Sequence, residues 1–144
     1  MPKVNELIRL VLDTHVWVWL LNGNQNQLHP NRIEQIEQAA EQEAVYLSTI
    51  SLWEVAMLEA KNRLQFPIGC QQWLKQAVSV PGIRLVMISP EIAIDSTRLP
   101  GDFHGDPADR LITATTRQLQ ATLITADKKI LRYAATGRVQ AIAC

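Results

Sequence analysis

No sign of charge prevails in this chain of 144 residues, where 14 Lys and Arg balance 14 Asp and Glu. That balance excludes a global electrostatic pull toward nucleic acid or membrane, so any polyanion must be bound locally. Cysteine is scarce: Cys70 and Cys144 make neither a metal-ligand spacing nor a disulfide framework, and read as two free thiols in a reducing compartment. Long apolar runs are missing as well. The longest, Val16 to Leu21, falls far short of a membrane span, and Met1–Glu6 lacks the apolar core of a signal peptide. Together these absences point to the cytoplasm and to no membrane partner. Repeats, low-complexity tracts and linkers are absent too, so residues 1–144 are expected to form a single domain with a core of respectable size.

What is present begins with an uneven distribution of charge. Residues 98–144 hold seven Lys and Arg against four Asp, whereas residues 1–97 hold seven against ten acids. Apolar patterning predicts strands at Leu7–Leu12, Val45–Ser48, Ile83–Ile88, Thr122–Thr125 and near Val139–Ile142. Between them it predicts helices at Asn31–Ala44 (Ile33, Ile36 and Ala40 inward), Ser51–Ala60 (Leu52, Val55 and Ala56 inward), Gln71–Val78, Pro90–Leu99, from Ala108, and from Asp127. Val16–Leu21 is open: its β-branched and aromatic residues favour a strand, while Asp13-Thr14 and Asn22-Gly23-Asn24 would start and stop a helix. Strands separated by helices predict an α/β domain with a largely parallel sheet.

In such sheets ligands bind beyond the carboxyl ends of the strands. Asp13 follows the first strand, Glu54 lies just past the second, and Asp127 follows the strand that ends at Thr125. Asp106 and Asp109 flank Pro107 at the start of a helix, where Pro suits the first position and the dipole favours negative charge. Gathered together, these acids would form an all-oxygen site for a hard divalent cation such as Mg²⁺ or Mn²⁺.

Each acid has a second explanation. Asp13, Asp106 and Asp127 can cap the helices that follow them, and Ser51 with Glu54 matches a capping box. His104 either lines a pocket or only shapes the loop before Asp106. Trp17, Trp19, Trp53 and Trp73 offer faces for base stacking, although tryptophans within helices more often fill the core. Arg110, Lys128, Lys129 and Arg132 offer contacts to phosphate, and solvated helix faces explain them nearly as well.

Four stretches say more than spacing does: Val11-Leu12-Asp13-Thr14-His15-Val16-Trp17, Ile50 to Leu58, Phe103 to Ile112, and Leu123 to Leu131. In that order they resemble the successive blocks of PIN-domain ribonucleases, above all the VapC-like toxins of bacterial toxin–antitoxin pairs. The resemblance implies a three-layer α/β/α sandwich with a central, largely parallel sheet, and a helix at Val16–Leu21. It implies that Asp13, Glu54, Asp109 and Asp127 are catalytic and bind metal, with Asp106 as an accessory ligand and Asp109 the better match to the helix acid of the wider family. Thr14, Arg110 and Lys128 would meet substrate, and Thr14, Ser51 and Thr125 would hydrogen-bond ligands or water.

The implied activity is Mg²⁺- or Mn²⁺-dependent hydrolysis of single-stranded RNA. The implied partners are an antitoxin protein and further copies of the chain, in a homodimer or higher oligomer. Two other phosphate chemistries fit less well. A haloacid-dehalogenase-type phosphatase expects a second Asp where His15 stands, and a receiver-like phosphoacceptor expects an Asp where Ser89-Pro90 stands. A PIN fold that acts only by binding a partner or RNA is the non-catalytic alternative.

Overall fold

The computed structural model describes residues 8–144. Among these residues five strands form one sheet: β1 (Leu10–Leu12), β2 (Val45–Ser48), β3 (Ile83–Val86), β4 (Thr122–Thr125) and β5 (Gln140–Ala143). Their order is β3-β2-β1-β4-β5 and every pair is parallel. Seven α-helices connect them: α1 (Thr14–Leu21), α2 (Pro30–Glu41), α3 (Ile50–Ala60), α4 (Cys70–Ala77), α5 (Pro90–Thr97), α6 (Pro107–Gln118) and α7 (Lys128–Ala134). Among the described residues no helix is long and apolar enough to cross a membrane.

The strands alternate between two cores, as their period of two requires. Leu10 and Leu12 of β1 and Ile124 of β4 face a core completed by Trp17, Ile36, Val55 and Trp73. Val11 and Leu123 face the opposite way, onto Ile92, Ile112, Ile130 and Tyr133. Helices therefore cover both faces, and the α/β/α sandwich expected above is the one observed. Burial on both sides also explains why β1 reads as a continuous apolar run and not as an alternating one.

Several boundaries differ from the sequence reading. The first strand starts at Leu10, the first residue that pairs with both Val45 and Thr122. Leu7, and the Met1–Glu6 stretch read for a leader, lie outside the described residues. The third strand stops at Val86, where its partner β2 ends at Ser48, and Met87 and Ile88 are exposed. Val16–Leu21 is helical, with Val16, Trp17 and Val18 buried in the core. In α3 the buried positions are Ser51, Val55 and Leu58, while Leu52 and Ala56 are only half-buried. Trp17 and Trp73 are core residues, as tryptophans in helices usually are, but Trp53 is 55% exposed.

The order β3-β2-β1-β4-β5 creates a switch point. From β1 the chain moves outward through β2 to β3, then returns to place β4 on the other side of β1. Connections leaving β1 and β4 thus diverge, opening a crevice at their carboxyl ends. Asp13 and Asp127 stand there, immediately beyond the two strands that border it.

Candidate functional site

Four helices begin around this crevice, and each brings an acid. At α1, Asp13 is the N-cap and accepts the Thr14 N–H at Oδ1 (2.8 Å). At α6, Asp106 accepts the Asp109 N–H (3.1 Å), with Pro107 following as the sequence predicts. At α7, Asp127 accepts the N–H groups of Lys129 (2.7 Å) and Ile130 (3.2 Å) through one oxygen, Oδ1. Capping and site formation are thus compatible: Asp106 and Asp127 each spend one carboxylate oxygen on the helix and keep the other. Glu54 on α3 is different. The capping box with Ser51 does not form, because α3 starts a residue earlier and Thr49 is its cap. Ser51 is instead buried, its Oγ 2.8 Å from Thr14 Oγ1.

Asp109 is the pivot of the cluster. One oxygen each from Glu54, Asp106 and Asp109 lie within 4.8 Å of one another, and the same holds for one ligand atom each from His104, Asp109 and Asp127. Asp13 belongs to neither triad but lies among them in its field: its charge acts on Glu54 and Asp109, and the charge of Asp127 acts on it. Asp13 is nearly fully buried, and its second oxygen accepts a hydrogen bond from Thr125 Oγ1 at 2.6 Å. The same hydroxyl accepts the Asp127 N–H at 3.0 Å. One side chain at the end of β4 therefore ties two of the acids together, as second-tier partners commonly orient ligands.

The structure gives three predicted residues particular tasks. Thr14 is fully buried with its hydroxyl on Ser51, and it lies near enough to Glu54 to lower that acid's proton affinity, so it sits behind the acids and not against a substrate. Lys128 is exposed on the cleft wall beside Asp106, Asp109 and Asp127. Arg110 corrects the sequence reading. Its guanidinium donates to three backbone carbonyls, those of His104, Ser96 and Phe103, each at 3.0 Å, and it lies over the Phe103 ring. It is a clamp on the loop between α5 and α6, with its planar fork spent on the chain itself.

That clamp sets His104, whose role the sequence left open. Its Nε2 lies 2.7 Å from Asp109 Oδ2, and its ring stacks on Phe103 with centroids 4.3 Å apart. A carboxylate only accepts hydrogen bonds, so with Asp109 ionised the His104 nitrogen must carry the hydrogen. The only hint in the sequence was the placement of a His five residues before the pivotal acid. His104 both lines the cleft and shapes the loop.

Crowding shows in the proton affinities. Burial pushes the Asp13 carboxyl up, against the bonds from Thr125 and Thr14. Burial likewise raises Glu54, with Asp13 and Asp106 adding to it and the Thr14 hydroxyl opposing. Asp109 rises from 3.8 to about 6, first through burial and then through the charges of Asp13, Asp106 and Asp127, while His104 opposes. Between these two pH values the folded chain holds a proton at Asp109 that the unfolded chain has released. The resulting stabilisation is full below 3.8 and lost as pH rises through 6. Metal-free protein should therefore melt higher at pH 5 than at pH 7.5, and divalent metal at pH 7.5 should restore the difference. Melting curves in chelator and in Mn²⁺ test this; a higher metal-free Tm at pH 7.5 would contradict it.

The donor set suits a hard cation. Carboxylate oxygens dominate, they repel one another without a counter-charge, and the free oxygens of Asp106, Asp109 and Asp127 border the same cleft of about 390 Å³. Fold and site together define an α/β/α protein with an acidic cleft at the carboxyl end of a doubly wound sheet. The PIN domain model matches residues 10–136, and the chain belongs to the PIN-domain family. It is 35% identical over 121 residues to ribonuclease VapC22 of Mycobacterium tuberculosis, covering 84% of this chain and 88% of that protein. Among solved structures, VapBC2 from Rickettsia felis, bound to a DNA fragment from its promoter, superposes with a TM-score of 0.67 at 17% identity, over 94% of this chain and 98% of that one. DNA-bound VapBC from Salmonella typhimurium gives 0.67 at 11% identity, with the same coverage of both chains. At such identities the two structures speak to the fold.

Proposed function

We propose that this PIN-domain protein is a cytoplasmic endoribonuclease that uses Mg²⁺ or Mn²⁺ to hydrolyse single-stranded RNA, and that it is the toxin of a toxin–antitoxin pair. The observation that carries the reading is the convergence of Asp13, Glu54, Asp106, Asp109 and Asp127, drawn from four separate segments, on one cleft. The similarity to a ribonuclease at 35% identity supports the reaction. The VapBC complexes among its structural neighbours support an antitoxin partner and assembly with further copies of the chain.

Asp109, Glu54, Asp106 and Asp127 are the residues that would hold the cation, with Asp13 completing the charge from below. When bound, a divalent cation supplies Lewis acidity, acidifying water and neutralising charge on the phosphodiester. The remaining work belongs to the chain. Thr125 fixes Asp13 and the Asp127 backbone, Thr14 and Ser51 tie α1 to α3 behind Glu54, and His104 holds Asp109 in one orientation. The positive ends of α1, α6 and α7 lie against the acids and lessen the cost of gathering so much negative charge. No side chain needs to act as a covalent nucleophile.

Incubation of purified protein with a single-stranded RNA in Mg²⁺, in Mn²⁺ and in chelator tests the proposal. Cleavage in at least one metal and none in chelator is expected. Folded protein that is inert in both metals would overturn it in favour of a fold that only binds.

A further inference from the structure

The acidic cleft does not end at the acids. His104, Lys129 and Arg132 line it, and they also line a second cavity of about 540 Å³ between α7 and the loop before α6. The two abut at these shared side chains and are taken together as one groove, whose lining changes along its length. Asp106, Asp109 and Asp127 stand only at one end and Arg138 only at the other, with Lys129 and Arg132 shared between them. The basic end holds one acid, the exposed Asp102, against these three cations. Among the described residues the ion pairs are His104–Asp109 and Arg117–Asp95, so none of the three cations is neutralised by a carboxylate.

The local structure accounts for this end. Asp127 starts α7 at the acidic end, so Lys129 and Arg132, three residues apart, lie on neighbouring turns of one helix that leads away from it. Arg138 enters from the chain beyond α7, and its guanidinium rests against Gly101. That glycine has φ +74°, and a Cβ there would collide with Arg138 Nη1. The floor is rigid: Phe103 meets Tyr133 edge-on at 4.9 Å, and the Tyr133 hydroxyl donates to Pro100 O at 2.7 Å. A fixed floor with unpaired cations along one wall suits a flexible chain of negative charges.

We infer that this groove is the track for the RNA backbone, with Arg132 and Arg138 contacting phosphates beside the one held at the acids. The inference rests on the ribonuclease reading and extends it from the reaction to the path of the substrate. Both arginines are exposed and neither pairs with an acid, so they position the strand and leave the reacting atoms to the carboxylates. Phosphate contacts carry no sequence information, so the track adds affinity for any single strand and makes that affinity depend on salt.

The test compares wild type with the R132A/R138A and R132K/R138K double variants. Binding of a fluorescein-labelled single-stranded RNA is followed by anisotropy over a range of salt, with D13N added to each protein so that the probe survives. The alanine pair should weaken binding about tenfold at low salt and lower the slope of log Kd against log salt by about 1.4, which is about 0.7 for each phosphate that no longer meets an arginine. The lysine pair should keep most of that slope. In the cleavage assay, with Asp13 intact, the alanine pair should raise KM and leave kcat unchanged. A protein that cleaves RNA with KM, Kd and salt slope unmoved by the alanine pair would overturn the track and leave the ribonuclease reading standing. Arginine-dependent RNA binding without cleavage would support the track and sink the ribonuclease reading. If the alanine pair bound RNA normally but lost a poly-glutamate peptide that wild type binds, the groove would belong to an acidic protein partner and the inference would fail.

Discussion

Asp13→Asn and Asp127→Asn should each lower RNA cleavage on the order of 10³-fold or more, the scale on which removal of one preorganised electrostatic group is felt, and both variants should remain folded. The second half of that expectation comes from the hydrogen bonds. Asparagine at 13 still offers an oxygen to the Thr14 N–H, and loses only the acceptor for the Thr125 hydroxyl, a cost of about 1 kcal/mol. Against this, removing the charge relieves Glu54 and Asp109, both of which are raised by Asp13. At 127 the substitution keeps a side chain as good as Asp at an N-cap, so the N–H groups of Lys129 and Ile130 stay satisfied. Metal-free melting temperatures should thus match or exceed that of wild type, while stabilisation by Mn²⁺ is strongly reduced. Cleavage and calorimetry on the same preparations check both halves. If the variants unfold, the acids are helix caps and little else; if they keep their activity, they are not part of the machinery.

Arg110→Ala should cost about 2–4 kcal/mol of stability, because two carbonyls of the loop between α5 and α6, those of Phe103 and His104, and the Ser96 carbonyl at the end of α5 lose a charged donor at once. Lysine cannot replace a planar fork that reaches three acceptors, so Arg110→Lys should recover only a minor part. Activity should fall alongside, since the His104 carbonyl is one of the three anchors and the His104 ring holds Asp109. Urea unfolding at constant m value measures the first effect. The opposite pattern, unchanged stability with a raised KM for RNA, would return Arg110 to the phosphate-binding role its charge suggests.

Arg110 shows where reading from sequence stops. A cation beside two carboxylates looks like a phosphate contact, and nothing in the local pattern reveals that three carbonyls face it. Features governed by local chemistry were readable. Val45–Ser48 and Thr122–Thr125 are strands to the residue, and Pro107 behind Asp106 starts α6 as capping rules require. Features governed by partners were not. The third strand ends where β2 gives out, although apolar residues continue to Ile88, and Val16–Leu21 is a helix despite its strand-forming residues because its buried face completes a core between sheet and helices.

The acids themselves were readable, because each follows a strand or opens a helix. What holds them was readable only in part. Thr125 and Ser51 could be placed near the site, but the hydroxyl that joins Asp13 to Asp127 depends on the register of β1 against β4. The link from His104 to Asp109 depends on the path of a loop that Arg110 and Tyr133 fasten from two sides.

Side chains from four distant segments are held to capture one kind of ion together, and everything proposed for the cleft depends on it. Mn²⁺ titration followed by electron paramagnetic resonance, which counts free metal directly, tests it on the intact protein. Saturable binding by wild type is predicted, abolished in Asp109→Asn and strongly weakened in Asp13→Asn, Glu54→Gln and Asp127→Asn. Folded wild type that binds no Mn²⁺, or binding that all four substitutions leave unchanged, would contradict it.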